Sequence, residues 1–400
     1  MSSAADTVAR LTAATSGLPA PLAVVDLDVF DANARDLLKR ADGVPVRVAS
    51  KSVRVRSLVA RALGHGFAGV MAYSVREALW LVSEGVRDVL VGYPTVDKEA
   101  LATLAADATA RAEITLMVDD VVHLGLIADA DRAASTSGRP IKVCLDVDCS
   151  LRVGVGALTA HLGVRRSPLR EPGDVAALAT VAQARGLSVR GLMFYEAQVA
   201  GLPDTSPAVR LVKRLSMREV NDRRVRILAA VRDAVGQEVE LVNAGGTGSI
   251  EVSGGAPGVT EVTAGSGLYT PGLFDGYRSF QPRPASFFGL DVVREPAPGW
   301  VTAFAGGYVA SGKAGAARVP RLFTPGYALN GPEGVGEVQT PLRATRGLTP
   351  DGMLHTGDRV WLRHAKAGEM MERFDQVLLV RGDEIVETVP TYRGEHKNFG

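Results

Sequence analysis

The amino-acid sequence predicts an α/β protein: a (β/α)₈ barrel of the TIM type followed by an antiparallel β domain. Short β-rich runs alternate with longer amphipathic runs as far as residue 270, which is the pattern of a parallel sheet. About eight or nine such strands fit a closed barrel of roughly 250 residues better than an open sheet. Beyond residue 270 the runs are short and separated by glycine and proline. We therefore assign residues 19–270 to the barrel and residues 271–400 to the β domain. Residues 1–18 are a candidate segment for packing against the β domain.

The strand-like segments follow one another in a regular order, each ending before a helical run. The first two are PLAVVDLD (21–28) and VPVRVAS (44–50). The next seven are GVMAYS, DVLVGYP, EITLMVDD, IKVCLDVD, LSVRGLMFYE, VELVNAGG and VTEVTAGSG. The second domain contributes PASFFGLDVV, GWVTAFAGGYVA, GEVQTPLRA, DRVWLRHA and QVLLVRGDEIVETVP. Barrel enzymes carry their functional groups at the C-terminal ends of the barrel strands, so we expect functional residues there.

The composition indicates a globular protein that acts on a small molecule. Of the 400 residues 46% are hydrophobic, which is enough to bury a large core. The 45 basic and 44 acidic residues leave a formal charge of +1. Such a balance gives no net field that would attract nucleic acid or an anionic membrane, so neither is expected as a partner.

The cysteines and the N-terminus predict a cytoplasmic protein. The two cysteines, Cys144 and Cys149, lie in one apolar stretch and are expected to be buried thiols, which excludes a disulfide framework. Residues 1–17 lack the apolar core of a signal peptide, and no apolar run is long enough to cross a bilayer.

Lys51 is the strongest candidate for a catalytic group. It follows the run VRVAS and precedes a helical run, which places it at the C-terminal mouth of an early barrel strand. An isolated lysine is ordinarily a solvated surface residue, so its surroundings decide the interpretation. The segment PLAVVDLD, Asn33 downstream and the run RVASKS (47–52) resemble the opening of the fold-type III enzymes that use pyridoxal 5′-phosphate (PLP). Alanine racemase, D-threonine aldolase and D-serine dehydratase belong to this family.

The resemblance implies an alanine-racemase-type barrel in which Lys51 binds PLP as a Schiff base, and further segments match the family in order. RGLMFYE (190–196) is similar to the strand whose aromatic ring lies against the pyridine ring, a role that falls to Tyr195. Thr263 occupies the place where racemases hold an arginine against the pyridine nitrogen. A neutral neighbour permits protonation of that nitrogen, which makes the cofactor a stronger electron sink. A stronger electron sink favours bond cleavage through a stabilised carbanion over the reversible reprotonation of a racemase.

Two glycine-rich segments resemble the phosphate-binding loops of the family. They are VNAGGTGS (242–249) and TAGSGLYT (263–270), where glycines let backbone N–H groups approach a phosphate and hydroxyl groups add donors. Their late position in the barrel is the usual one for phosphate. The residues implied in cofactor binding are Gly246, Thr247, Gly248, Gly265 and Ser266, with Ser249 as a further hydroxyl donor.

An arginine is expected at the phenolic oxygen of the cofactor or at the substrate carboxylate. The stretch LDVDCSLRVG (145–154) resembles the family's acidic strand with an R-x-G downstream, and this makes Arg152 the candidate. Arg165 is the alternative, and either arginine is also compatible with a surface ion pair.

The C-terminal domain resembles the D-threonine aldolase and D-serine dehydratase branch. The matching segments are GEVQT (336–340), GDRVWLRHAKAGE (357–369) and YRG (392–394). Members of that branch carry His-x-Asp or His-x-Cys here and hold a divalent metal beside the substrate's β-hydroxyl. This chain has His364 followed by Lys366, and a protonated lysine repels a cation.

We therefore expect no divalent metal, and assign a catalytic role to both residues of the His-x-Lys pair. The Lys366 ammonium is expected to face the substrate's β-oxygen, while His364 exchanges a proton with it. The alternative is that Lys366 points to solvent and that His364 and Glu369 bind a metal.

The resemblance implies a lyase acting on a D-3-hydroxy amino acid, with retro-aldol cleavage favoured over dehydration. The alternatives are an amino acid racemase, whose second acid/base would be a tyrosine, and a non-catalytic PLP carrier. A homodimer is expected by analogy with the family. The racemase candidates are Tyr269, Tyr277 and Tyr308, and the candidate pocket walls are Trp361, Phe274 and Tyr93.

Overall fold

The computed structural model describes residues 3–134, 139–154 and 159–400. Its strands are β1 (Leu22–Asp26), β2 (Val46–Ala49), β3 (Gly69–Ala72), β4 (Val89–Val91), β5 (Ile114–Val118), β6 (Lys142–Asp146), β7 (Leu151–Val153), β8 (Ala160–Leu162), β9 (Ser188–Phe194), β10 (Leu241–Ala244), β11 (Glu261–Ala264), β12 (Ser286–Ala297), β13 (Trp300–Phe304), β14 (Arg321–Leu322), β15 (Tyr327–Leu329), β16 (Gln339–Ala344), β17 (Arg359–Arg363), β18 (Gln376–Arg381) and β19 (Glu384–Pro390). Its helices are α1 (Ala4–Ala14), α2 (Leu27–Arg40), α3 (Arg56–Gly64), α4 (Val75–Ser83), α5 (Lys98–Ala106), α6 (Ala108–Glu113), α7 (Val121–Ala134), α8 (Pro172–Ala184), α9 (Ala197–Ala200), α10 (Pro207–Val235), α11 (Ile250–Gly254) and α12 (Ser266–Tyr269).

Eight parallel strands close into a barrel in the order β10, β11, β2, β3, β4, β5, β6 and β9. They correspond to the eight segments from VPVRVAS to VTEVTAGSG. Strands such as β5 and β10 are buried along their whole length, because helices cover the outside of the barrel and side chains fill its inside. The predicted barrel and the antiparallel C-terminal domain are both confirmed.

The strand β1 lies outside the barrel, which corrects the start of the predicted 19–270 range. It pairs antiparallel with β12, where Leu22 faces Gly289, and parallel with β18, where Val24 faces Leu378. It is thus a central strand of the nine-stranded sheet of the C-terminal domain. All five residues of β1 are buried, and such an apolar strand fits the barrel and the C-terminal sheet equally well. The sequence of the strand does not reveal which distant strands pair with it.

The helix α1 also packs against the C-terminal sheet. Leu11 is fully buried in a cluster with Leu22 and Trp361. The indole nitrogen of Trp361 donates a hydrogen bond of 2.9 Å to the Thr12 hydroxyl. Trp361 therefore lies under α1 as a core residue and is not the predicted pocket wall.

The C-terminal domain meets the mouth of the barrel at Lys51. A side chain at Gly368 would collide with the carbonyl group of Lys51, and Gly368 has φ of +89°, so glycine is required there on both counts. A second contact joins Tyr392, whose hydroxyl donates 2.9 Å to Glu77 at the start of α4. The first contact brings the segment after β17 to the C-terminal end of β2, and the second brings the segment after β19 to α4.

The cysteines are buried as expected. Cys144 lies in β6 and Cys149 in the loop after it, and both are free thiols. Burial raises the pKa of both thiols well above its ordinary value. In the described part of the chain we find no helix that has both the length and the apolar character needed to span a membrane.

Candidate active site

A cavity of about 320 Å³ opens at the C-terminal ends of the barrel strands. Residues that end or follow β2, β3, β4, β9, β10 and β11 form most of its wall. The C-terminal domain closes the remaining side with Arg318, Lys366 and Ala367. The cavity is thus a joint product of the two domains.

Lys51 enters this cavity from the 3₁₀ turn that follows β2. Its Nζ donates a hydrogen bond of 2.6 Å to the hydroxyl of Tyr93, which follows β4. Burial raises the pKa of Tyr93, but the positive charges of Lys51, Arg166 and Lys366 outweigh that effect, and the pKa lies below its ordinary value. The structure thereby places an amine and a phenol of lowered pKa side by side.

The two glycine-rich segments face each other across one end of the cavity. Gly246, Thr247, Gly265 and Ser266 all line it. A Cβ atom at Gly265 would lie 2.6 Å from the carbonyl oxygen of Ala49, so the absence of a side chain there lets two backbones meet. The Thr247 hydroxyl accepts 3.0 Å from the Gly267 amide and so ties one turn to the other.

Gly248 and Ser249 are predicted phosphate-loop residues that do not line the cavity. A side chain at Gly248 would collide with the backbone of Ala200 and with the ring of Tyr277. Its role is therefore close packing beneath the first turn. Ser249 is likewise buried, and its Oγ accepts 3.2 Å from the Gly246 amide.

Tyr195 lines the cavity at the end of β9 and presents its ring beside Gly246. Burial raises the pKa of its hydroxyl to about 12. The guanidinium carbon of Arg166 lies 5.3 Å from the centre of this ring and 5.2 Å from the centre of the Tyr93 ring. The cation is thus held within cation–π range of both rings.

Of the neighbouring arginines 152, 165 and 166, the structure brings Arg166 to the cavity, whereas Arg152 and Arg165 lie elsewhere. Arg152 is half exposed and pairs with Asp148 at 2.8 Å, and Arg165 is exposed. The Nε atom of Arg166 donates 3.1 Å to Asp146, whose pKa burial raises to about 6. The run GVRRSP contained the right residue, but the loop conformation decides which neighbouring arginine turns inward.

Thr263 lines the cavity and is hydrogen-bonded to a buried polar network. Its Oγ1 accepts 2.8 Å from Asn243, which also donates 2.6 Å to Glu261. Glu261 in turn accepts two hydrogen bonds from the fully buried Arg47, at 2.7 and 2.8 Å. Asn243 orients the Thr263 oxygen, and the hydroxyl proton is left available as a donor.

Lys366 reaches the cavity from the C-terminal domain. Its Nζ donates 2.8 Å to the Ser311 hydroxyl and 3.0 Å to Glu369. The nearby Lys366 charge and the hydrogen bonds from Ser311 lower the pKa of Glu369, although burial acts in the opposite direction. Glu369 is therefore the counter-ion of Lys366.

His364 does not face the cavity that contains Lys51. Its ring is buried, stands perpendicular to the Tyr269 ring at 6.0 Å, and neither nitrogen meets a hydrogen-bond partner among the described residues. Burial and the charge of Arg363 lower its pKa to about 3. His364 instead lines the neighbouring cavity together with Lys366 and Glu369, and its proton exchange with the substrate stays a prediction.

Of the remaining predicted tyrosines and pocket-wall residues, some line the cavity and others do not. Phe274 and Tyr277 line the cavity, while Tyr269 is fully buried and Tyr308 lines a neighbouring cavity of about 290 Å³. The hydroxyls of Tyr269 and Tyr277 donate to backbone carbonyls at 2.9 and 2.8 Å. Within the described ranges, no group of three or more His, Cys, Asp or Glu side chains is placed to hold a metal ion.

Comparison with known proteins agrees with this architecture. Residues 25–271 match the model of the alanine racemase N-terminal domain. D-threonine aldolase from an Arthrobacter species is 29% identical over 341 residues, which are 81% of each chain. A 3-hydroxy-D-aspartate aldolase of Paracoccus denitrificans is 27% identical over 260 residues, 64% of this chain and 58% of that protein.

Solved structures share the same two-domain fold. D-threonine aldolase from Filomicrobium marinum superimposes with a TM-score of 0.79 at 23% identity, covering 94% of this chain and 96% of that one. D-threo-3-hydroxyaspartate dehydratase from Delftia sp. HT23 gives 0.71 at 20% identity, over 94% and 98%. Since the matching domain model spans more than half of the chain, this protein belongs to the alanine racemase N-terminal domain family.

Proposed function

We propose that this chain is a PLP-dependent lyase that acts on a D-3-hydroxy amino acid, with Lys51 as the residue that holds the cofactor. The observation that carries the proposal is that the Lys51 amine opens into one cavity with both glycine turns. The names of the relatives, D-threonine aldolase and 3-hydroxy-D-aspartate aldolase, supply the substrate class.

The residues of the cavity fit PLP. The close approach of Gly265 to Ala49 leaves a backbone cradle that a side chain would fill, and Gly246 contributes to it from the other turn. Together with the Thr247 and Ser266 hydroxyls this cradle suits a phosphate. Tyr195 offers a ring face for the pyridine. We propose that Arg166, instead of Arg152, binds the phenolic oxygen of the cofactor. When bound, PLP supplies an electron sink for the bond broken at Cα.

Two groups of the cavity are suited to the substrate's β-hydroxyl. Lys366 supplies a positive charge from the C-terminal domain, whereas the glycine turns belong to the barrel. Tyr93, whose pKa is lowered, is an acid/base group beside Lys51 and takes the role first assigned to His364. Retro-aldol cleavage requires that the β-hydroxyl lose a proton, and the deprotonated form of Tyr93 is the group proposed to accept it.

Dehydration is the competing outcome, because it needs the same cavity and differs only in the bond that breaks. Expulsion of hydroxide calls for stronger activation of the β-oxygen than deprotonation of an alcohol does. The ammonium of Lys366 is held by Glu369, so its charge is already partly balanced. We therefore favour the retro-aldol reaction.

The first experiment adds D-threonine to the purified yellow protein and assays acetaldehyde and 2-oxobutyrate together. Acetaldehyde is expected, and formation of 2-oxobutyrate alone would show the dehydratase instead. Lys51→Ala should abolish activity and the visible absorption of the bound cofactor. The control is Lys98→Ala, at an exposed lysine that starts α5, which should retain both. A Lys51 variant that keeps the absorption would refute the proposal.

The charge at the β-oxygen and the oligomeric state have separate tests. We propose that Lys366, and not a divalent metal bound by His364, supplies that charge. Stoichiometric zinc or manganese in protein purified without chelator would contradict this assignment.

We also propose a homodimer, by analogy with the family, which light scattering of the purified protein will test.

A further inference from the structure

Arg318 lines the cavity without a partner of its own. Its Nε atom is buried from solvent and makes no hydrogen bond. Among the described arginines, Arg224, Arg283 and Arg363 also have a buried unbonded guanidinium nitrogen, but each bonds or pairs elsewhere with another side chain. Arg318 has no such contact in the described part of the chain. An unpaired cation at the wall of a cavity is suited to bind an anionic ligand.

The guanidinium of Arg318 is held in place by the backbone beneath it. A Cβ atom at Gly312 would lie 2.7 Å from its Nε and 3.3 Å from its Cζ, so the group packs directly on the glycine. Gly312 has φ of +117°, which also favours glycine. The loop is closed by a hydrogen bond of 2.9 Å from the Ala310 amide to the Arg318 carbonyl. The position of the guanidinium is therefore built into the loop.

The same loop brings Arg318 beside Lys366. Ser311, the residue before Gly312, accepts a hydrogen bond of 2.8 Å from the Lys366 ammonium. The amide and hydroxyl of Ser311 also bond to Glu369, which anchors the loop. Two cations of the C-terminal domain thus reach the cavity: Arg318 on this loop, and Lys366 after β17 through its hydrogen bond to Ser311 of the loop.

The charge of the cavity wall is unbalanced. Lys51, Arg166, Arg318 and Lys366 line it, and no carboxylate stands among its described lining residues. Lys51 is committed to the cofactor, while Arg166 and Lys366 have the counter-ions Asp146 and Glu369. Arg318 is left as the cation without one.

We propose that Arg318, with Lys366 beside it, binds the side-chain carboxylate of the substrate, so that the enzyme prefers 3-hydroxy amino acids with a second carboxylate. The inference rests on the proposed function and names its substrate class, of which D-3-hydroxyaspartate is the smallest member. A guanidinium offers two parallel N–H donors that match a carboxylate.

The phosphate of the cofactor is the alternative anionic ligand of Arg318. The glycine turns that suit the phosphate belong to barrel loops after β10 and β11, whereas Arg318 belongs to the C-terminal domain. The proposed function assigns the substrate's β-hydroxyl to Lys366, and a carboxylate attached to the β-carbon would lie close to that hydroxyl. The substrate side chain therefore explains the location of Arg318 better than the phosphate does.

The test compares D-3-hydroxyaspartate with D-threonine for the wild type, Arg318→Gln and Lys313→Gln. Lys313 is an exposed cation of the same loop that does not line the cavity, so its variant removes the same charge as a matched control. The ratio of kcat/KM for the dicarboxylate to that for D-threonine should fall about 10- to 100-fold in Arg318→Gln. It should stay constant in Lys313→Gln. An unchanged ratio in Arg318→Gln, or loss of the cofactor's visible absorption, would overturn the proposal.

A binding measurement separates this inference from the proposed reaction. Calorimetry with succinate and butyrate compares a dianion with a monoanion of the same length on the holoenzyme. The wild type should prefer succinate by about tenfold or more, and Arg318→Gln should lose that preference. Equal affinities in the wild type would overturn the carboxylate site. An Arg318-dependent preference in a protein without lyase activity would support the site and refute the proposed reaction.

Discussion

Replacement of Glu77 by Gln should change how the stability of the protein depends on pH. Glu77 lies in the first turn of α4 and is fully buried. Its carboxylate accepts 2.7 Å from the Tyr73 amide and 2.9 Å from the Tyr392 hydroxyl. Burial nevertheless raises its pKa from 4.5 to about 7, although Ser50, Tyr73, Tyr392 and the charge of Arg54 act in the opposite direction.

The size and sign of the effect follow from this difference in pKa. Between pH 4.5 and 7 the folded protein keeps the proton of Glu77 while the unfolded chain has lost it. The stabilisation is therefore complete below pH 4.5 and is lost as the pH rises toward 7. At 1.4 kcal/mol for each tenfold change in proton affinity, about 3 kcal/mol is lost. For 400 residues that unfold together, this corresponds to roughly 4 °C in Tm.

Thermal unfolding of the wild type and Glu77→Gln at pH 5 and pH 8 measures the prediction directly. Glutamine is neutral at both values, so the Tm of the variant relative to the wild type should rise by roughly 4 °C from pH 5 to pH 8. Glu384→Gln, at an exposed glutamate of β19, is the control and should show no such rise. A difference between variant and wild type that stays constant with pH would refute the argument that burial sets the proton affinity of Glu77.

Three further predictions concern the core and the phosphate cradle. Gly265→Ala places a methyl group 2.6 Å from the Ala49 carbonyl oxygen, and absorbance titration should show PLP affinity weakened about tenfold or more; unchanged affinity would contradict the cradle. Arg47→Met leaves the charge of Glu261 buried and unpaired, so chemical denaturation should show a loss of about 3–5 kcal/mol. Adding Glu261→Gln should restore part of it, and a single variant as stable as the wild type would count against the pair. The two buried cysteines should react with a thiol reagent only after unfolding, and rapid reaction of the native protein would show that they are accessible.

The barrel was predictable because its signal is local. Each of the eight barrel segments is an apolar run that can be recognised on its own, and most are followed by a helical run. Their number alone then indicates a closed barrel. The assignment of β1 failed for the opposite reason. Its partners β12 and β18 lie more than 200 residues away, and only tertiary pairing shows that it belongs to their sheet.

The site was predictable where a residue is fixed by backbone geometry. Lys51, Gly246 and Gly265 follow strand ends directly, so their strands determine where they lie. His364 and Lys366 were expected on one face because alternate residues of a strand share a face. The strand β17 ends at Arg363, however, and the amides of residues 272 and 273 bond to the carbonyls of residues 364 and 365. The alternation stops there, so the histidine ring turns inward while the lysine reaches the cavity.

The arrangement of charges gives the C-terminal domain a place in the proposed substrate specificity. The counter-ions of Arg166 and Lys366, Asp146 and Glu369, hold their partners without lining the cavity themselves. The cations are thus oriented by carboxylates behind them and present their remaining N–H donors to the ligand. Two of the four lining cations come from the C-terminal domain. In the proposed function the barrel therefore provides the place for the cofactor, and the second domain provides the charge that would select the substrate.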